Sequence, residues 1–428
     1  MNFMKKFGEF LMIGARAQAR WEIGVSNTIV GDKKRMIILG LLVIPVIIGG
    51  IAFAEEITGA LPDLIGGHHA YSPAYYSTGI FIVSILIGLG AGLITGCIGA
   101  GGGFVITPAL MSAGIKGILA VGTDLFHIFA KAIMGYVMHR KLGNVSVPLA
   151  LVFIIGSAIG ITTGGVLNRW LYAVNPVLSD AFITAIYALI LGFLGTYAFT
   201  DFLKSRKARP SEEFHGIKSE GSAMGSLPQK IQSVHIPPMI KFDFGIIPGG
   251  RKISWVFLVL SGILVGLCAG IMGVGGGFLF FPIFVYTLGV SSTTTVGTDI
   301  FQIIFSAGFG SISQYAIYGF IFYTLAIGML LGSILGIQIG AMVTKVVTGI
   351  TIRGFYAMAV LAGFMNRIFA LPGKLSRMGV VPLPEQAGFI LDRIGIIAFF
   401  IVIGIFAVWV IGTFVTKIKV LKGEGAHL

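Results

Sequence analysis

Two runs of three glycines carry the first chemical signal in this 428-residue chain: Gly101, Gly102 and Gly103, then Gly275, Gly276 and Gly277. Each is followed at once by a phenylalanine, Phe104 or Phe278. Residues without side chains weaken a helix by roughly 1 kcal/mol each, so both runs read as breaks in apolar helical sequence. Where a helix restarts after a break, unpaired backbone N–H groups and the positive end of the helix dipole converge on one spot, which suits an anion. The pattern predicts two anion cradles made of main chain, set against the plainer reading of breaks kept for close packing.

Polar residues follow each break. Thr123-Asp124 and Thr298-Asp299 both sit in a Val-Gly-Thr-Asp sequence within apolar surroundings. A carboxylate near the bilayer centre costs on the order of 3 kcal/mol and is normally paired or functional. Either the aspartates load and release a proton, or they cap a helix start. Three residues on, His127 in the first copy is replaced by Gln302 in the second, and Lys131 becomes Ser306. Asp124, His127 and Lys131 share one helix face, a stripe that attracts an anion or forms a structural salt bridge. Asp124, His127, Lys131, Asp299 and Gln302 are therefore the candidate coupling residues. His139 with Arg140 and Lys141 is expected at the cytoplasmic interface. The two cysteines, Cys97 and Cys268, lie far apart in apolar glycine-rich sequence, which excludes a disulfide framework and suggests small-residue packing. The chain holds no Ser-His-Asp set, P-loop, dinucleotide fingerprint or metal-ligand cluster, so no cofactor, metal or ATP-driven pump is expected.

The elements that hold these residues follow from composition. The chain is 56% hydrophobic and 11% charged, against about 25% charged in soluble domains. Nearly charge-free stretches at 36–54, 77–100, 145–167, 254–290 and 394–416 are each long enough for one or two membrane spans. The first begins after 35 residues holding Lys5, Lys6, Arg16, Arg20, Lys33, Lys34 and Arg35, which is not the form of a short cleavable signal. The net charge of +13 concentrates beside the spans, with seven basic residues in 1–35 and nine in 204–252. The positive-inside tendency and anionic lipid account for it, and no nucleic acid is needed.

The chain is also duplicated. Residues 88–103 (GLGAGLITGCIGAGGG) match 262–277 (GILVGLCAGIMGVGGG), VGTDLF at 121–126 matches VGTDIF at 296–301, and GSAIGITTG at 156–164 matches GSILGIQIG at 332–340. Each half reads as five segments, the second too short for an ordinary span. Consecutive copies of an odd-numbered unit enter the membrane from opposite sides, which makes an inverted repeat. The expected fold is thus an all-α polytopic membrane protein of two five-segment inverted repeats with discontinuous helices, plus an extra span at each end. Its expected parts are a cytoplasmic amphipathic leader (1–35), an extra span and outer loop (36–77), repeat 1 (78–203), a partly disordered cytoplasmic linker (204–252), repeat 2 (253–371), and an outer loop, last span and tail (372–428).

A glycine-rich helix, GxGGGF, a proline a few residues later and a following Gly-Thr, all repeated, resembles the TauE/SafE family of sulfite and organosulfonate exporters over about 78–203 and 253–371. The resemblance implies a cofactor-free transporter of a sulfur oxyanion or small organic anion in the cytoplasmic membrane. With it, the expected substrate site comprises Gly101, Gly102, Gly103, Phe104, Thr123, Gly275, Gly276, Gly277, Phe278 and Thr298, and access alternates by movement of one half against the other. The expected partners are a small sulfite-like anion, the lipid bilayer and a proton or other coupling ion, with the oligomeric state open. The chain departs from the family in its leader, its long linker, and Asp where a small residue often follows Gly-Thr. Two other classes stay open: a cation or metal permease using Asp124 and Asp299, for which two carboxylates and one His are thin, and a membrane enzyme or lipid-phosphate handler, which calls for an Arg or His cluster not evident here.

Cysteines introduced singly into 204–252 should react with an impermeant reagent only from the cytoplasmic face. Labelling from outside would overturn the five-segment count and the inverted symmetry with it.

Overall fold

The computed structural model describes residues 66, 78–98, 102–141, 145–207, 226–243, 250–343, 346–347 and 349–417. The leader, nearly all of 36–77, Gly101 and the tail beyond 417 lie outside them.

The first half comprises α1 (Thr78–Ile98), α2 (Gly103–Ser112), α3 (Gly117–Lys141), α4 (Val147–Val174) and α5 (Pro176–Lys207). A short helix, α6 (Ser226–Ser233), and a hairpin of β1 (Met239–Phe242) and β2 (Arg251–Ser254) follow. The second half comprises α7 (Trp255–Met272), α8 (Gly277–Pro282, continued by a π-helical stretch Ile283–Leu288), α9 (Ser292–Gly310, continued by Ser311–Tyr315 and Ala316–Tyr318), α10 (Tyr323–Val343) and α11 (Gly349–Arg377), with α12 (Glu385–Thr416) last. Eight helices among the described residues are long and apolar enough to cross a membrane. The outer faces suit lipid: Ile394, Ile397, Ile401, Ile405 and Val408 on α12 are all exposed. The protein is an α-helical polytopic membrane protein.

Both glycine runs break the chain, as their composition requires. Gly102 and Gly276 precede α2 and α8 with left-handed φ of 68° and 86°, a conformation a Cβ disfavours. At ~1.5 Å per residue the ten residues of α2 cover about 15 Å, half a hydrocarbon core.

The spaced glycines make two seams, and each joins the halves. Along α1 and α10, Gly88 lies on the backbone of Met329, Gly92 on Ser333 and Gly340 on Leu93. Along α4 and α7, Gly156 lies on Val259, Gly160 on Ile263 and Gly266 on Ser157. The numbers rise together in both seams, so each pair runs parallel. Because lipid gives helices no hydrophobic reason to associate, such close approach through small residues is what holds them.

Within and just after the linker, residues 226–243 and 250–254 carry defined structure, and the hairpin adds strand to otherwise helical described residues. Its inward residues Phe242 and Ile253 join a core cluster with Leu149, Phe153, Phe280 and Phe284. Burial of this alternating face stabilises the hairpin. At the other end, α11 continues through Pro372 to Arg377, beyond the expected end of repeat 2 at 371.

A methyl group at position 92 would lie 2.6 Å from the Ser333 carbonyl oxygen, whereas one at 404 would meet nothing within 4 Å. Gly92→Ala should therefore cost roughly 1–3 kcal/mol and lower the thermal midpoint of the purified protein. Gly404→Ala should hold or raise it, since Ala favours a helix interior by about 0.5–1 kcal/mol over Gly.

Candidate functional site

The two breaks meet in the interior. A Cβ on Gly103 would fall 2.9 Å from Cα of Val274, and one on Gly275 would fall 2.9 Å from Cγ2 of Ile128. The rings of Phe104 and Phe278, both buried, lie 6.3 Å apart between centroids, and Phe104 also meets Tyr356 edge-on at 5.9 Å. No side chain caps the start of α2 or α8. Gly102, Gly103, Phe104, Gly275, Gly276, Gly277 and Phe278 thus form one region. Gly101 lies outside the described residues.

The C-terminal ends of α7 and α2 are held by polar groups absent from the sequence-based site. The last carbonyls of α7 are capped from three sides. Asn168 donates to Gly270 (3.2 Å) and Ile271 (2.9 Å), Tyr187 donates to Met272 (2.5 Å), and the Tyr315 hydroxyl donates to Gly270. At the C-terminal end of α2, the buried guanidinium of Arg367 donates to the Pro108 carbonyl (3.2 Å), the Ser112 hydroxyl (2.9 Å) and the Asn366 side-chain oxygen (2.7 Å from Nε). A cation there complements the negative end of the helix dipole. Asn168, Asn366 and Arg367 are legible as polar residues in apolar spans. Tyr187 and Tyr315 carried no such mark.

Thr123 and Thr298 each bond across the two halves. Thr123 Oγ1 accepts from the Phe322 amide (2.9 Å), just before α10, and Thr298 Oγ1 accepts from the Ser146 amide (3.0 Å), just before α4. Each threonine of one half satisfies an amide that opens a helix of the other.

The aspartates face unlike surroundings. Asp124 Oδ2 accepts from Thr107 at 2.9 Å, while Oδ1 has no hydrogen bond and lies 3.9 Å from His127 Nδ1, which has none either. His127 Nε2 sits 2.9 Å from the Ser333 hydroxyl, which donates its own proton to the Gly88 carbonyl. That hydroxyl can only accept from His127, which assigns the ring proton to Nε2 and leaves Nδ1 as a lone pair facing Asp124. One proton placed between Oδ1 and Nδ1 would serve both. The Lys131 ammonium donates to Thr95 Oγ1 (3.4 Å), an oxygen that would lie 2.5 Å from a Cβ on Gly102. A positive charge thereby stands beside the first break.

In the second half Gln302 and Ser306 take the places of His127 and Lys131, and the polar groups bond to one another. Gln302 donates to Asp299 Oδ1 (2.9 Å), Ser306 donates to Gln302 (2.8 Å), and Ser157 donates to Ser306 (3.0 Å). Cys97 is buried, with its thiol 3.4 Å from the Gly340 carbonyl in the seam. The described residues contain no cluster of three or more His, Cys, Asp and Glu suited to a metal.

The family model for sulfite exporter TauE/SafE matches residues 84–366. Among curated proteins, the chain is similar to probable membrane transporter protein YjnA of Bacillus subtilis, 26% identical over 60% of this chain and 87% of that protein. It is also similar to probable membrane transporter protein YunE of the same organism, 24% identical over 62% of this chain and 89% of that one. A probable membrane transporter protein of Xylella fastidiosa is 21% identical over 68% and 92%. No solved structure matches the chain.

Thr123→Val should orphan the buried Phe322 amide and cost roughly 1–3 kcal/mol, and Thr298→Val should do the same to Ser146. Serine at either position keeps the acceptor and should restore most of the loss. Thermal unfolding of the four variants reads this directly.

Proposed function

The chain belongs to the sulfite exporter TauE/SafE family, and from that premise we propose that it is a secondary active transporter exporting sulfite or a related sulfur oxyanion or organosulfonate across the cytoplasmic membrane. The observation that carries this reading is the meeting of two uncapped helix starts at Gly102 and Gly276 with Lys131 set beside the first. Converging amides and one nearby cation favour a small anion. Phe104 and Phe278 then act as the gate, since both rings are buried directly after the breaks and lie 6.3 Å apart.

Inverted topology is part of the proposal, and the parallel seams support it. α1 is the first element of its half and α10 the fourth. Successive membrane segments alternate in direction, so first and fourth elements of like-oriented halves would run antiparallel. Parallel packing of α1 with α10, and of α4 with α7, is what oppositely oriented halves give. Positive-inside charge then puts both termini and the 204–252 linker on the cytoplasmic side.

The seams weigh against one half moving as a block on the other, the expectation from sequence. Sliding the halves apart would open backbone contacts along two whole helix pairs. The moving bodies in this reading are mixed, one built on α1 with α10 and the other on α4 with α7, each a contribution from both halves.

Asp124 with His127 is the proposed proton-coupling pair, because it lacks one proton between two facing acceptors. Asp299 serves as a structural acceptor for Gln302.

Reconstituted protein should move sulfite in preference to sulfate, thiosulfate or a carboxylate, and an imposed pH gradient should change the rate. No flux of any sulfur anion would remove the substrate assignment. Asp124→Asn should still bind anion but lose the response to the gradient, since Asn keeps the size and fixes the charge. Asp299→Asn should leave that response in place. An unaltered gradient response in the Asp124 variant would defeat the coupling role while leaving the glycine-break site intact.

A further inference from the structure

We infer that α6 and the β1–β2 hairpin form a docking surface for the anionic headgroup layer of the bilayer, and that through it membrane charge bears on the end of the second broken helix. The starting observation is an unfavourable pair. Lys241 stands directly across the hairpin from Lys252, and both side chains are exposed. Like charges opposite one another on paired strands repel, so this arrangement asks for an anionic neighbour. The described residues supply none: neither lysine has an ion pair. Lys230 on α6 adds a third exposed cation, on the same helix face as Leu227 three residues earlier. Asp243 is the carboxylate of the described part of this module, and it is buried and engaged by the Ser291 amide (3.0 Å) and hydroxyl (2.7 Å). The outward face is therefore cationic without being mixed.

It is also apolar, which separates a bilayer surface from free phosphate. Leu227, Val234, Ile236 and Trp255 are exposed by 52%, 38%, 43% and 38%. Trp255 opens α7, a candidate membrane span, so the module sits at the foot of a crossing helix. Exposed lysines interleaved with aliphatic residues and an interfacial tryptophan are the composition of a surface that lies on anionic lipid.

The module grips the joint between α8 and α9. Gln232 donates to the Leu288 carbonyl (2.7 Å), Arg251 donates to the Gly289 carbonyl (2.6 Å), and Asp243 holds Ser291. The stretch beyond the second break thus ends on groups that belong to the lipid-facing module, and α9, which carries Thr298 and Asp299, starts from it.

The test uses the full chain in nanodiscs of phosphatidylcholine alone or with phosphatidylglycerol added, read by hydrogen–deuterium exchange without any substrate. Amides of α6, β1 and β2 should exchange several-fold more slowly in the anionic discs. The triple variant K230Q/K241Q/K252Q, which alters exposed side chains alone, should lose that difference while keeping the exchange of the membrane helices. Equal exchange in the two lipids, or a difference that survives in the triple variant, would overturn the proposal and leave the face to a protein partner. Since no transport is measured, failure here and failure of sulfite flux are separate results.

Discussion

Backbone-to-backbone contact along two glycine seams is the constraint on which the rest of this structure depends. In a bilayer, helices gain little from hiding apolar surface from one another, so association rests on how closely their main chains can approach. Gly88, Gly92 and Gly340 allow that approach between α1 and α10, and Gly156, Gly160 and Gly266 allow it between α4 and α7. Each seam takes one helix from each half. Neither half can complete its packing alone, and the two breaks are brought together as a consequence: the helices that lead into them, α1 and α7, are each fixed to the opposite half.

The same exchange recurs in the polar interior. Thr123 and Thr298 satisfy amides at the start of α10 and α4, and His127 and Ser306 reach Ser333 and Ser157 on those same helices. Buried donors and acceptors are costly to leave unmet, which explains why these reciprocal bonds accompany the seams. The scaffold is symmetric but the charges are not. The first half holds Asp124, His127 and Lys131 where the second holds Asp299, Gln302 and Ser306. Duplication supplied a frame with two like breaks, and substitution within one copy concentrated ionisable groups on one side of it.

Around the breaks, rigid and open groups are divided. The C-terminal end of α7 is tied by Asn168, Tyr187 and Tyr315, and that of α2 by Arg367, whereas the helix starts at Gly102 and Gly276 have no side-chain cap. Fixed ends with starts that no side chain caps set amides at a defined place, an arrangement that suits an anion. Membrane proteins tolerate irregular backbone where it is enclosed by protein, as both breaks are here.

The sequence by itself determined that this is a membrane protein, that it is duplicated, and where its helices break, because these follow from local composition: apolar length, repeated glycine spacing, and three residues that cannot sustain a helix. It also marked Asp124 and Asp299, since a carboxylate in an apolar span is conspicuous. Only the tertiary structure decided which helix each glycine face meets, for a glycine has no side chain to specify a partner, and the Gly88–Gly92 face of α1 meets α10 of the other half. It likewise decided that Thr123 and Thr298 serve distant amides, that MIKF and RKIS pair as strands inside a polar linker, and that Arg367 and Tyr315 cap broken helices. Each of those roles depends on a partner remote in the chain, and the meaning of a hydroxyl, a guanidinium or a four-residue strand is set by the group that folding brings opposite it.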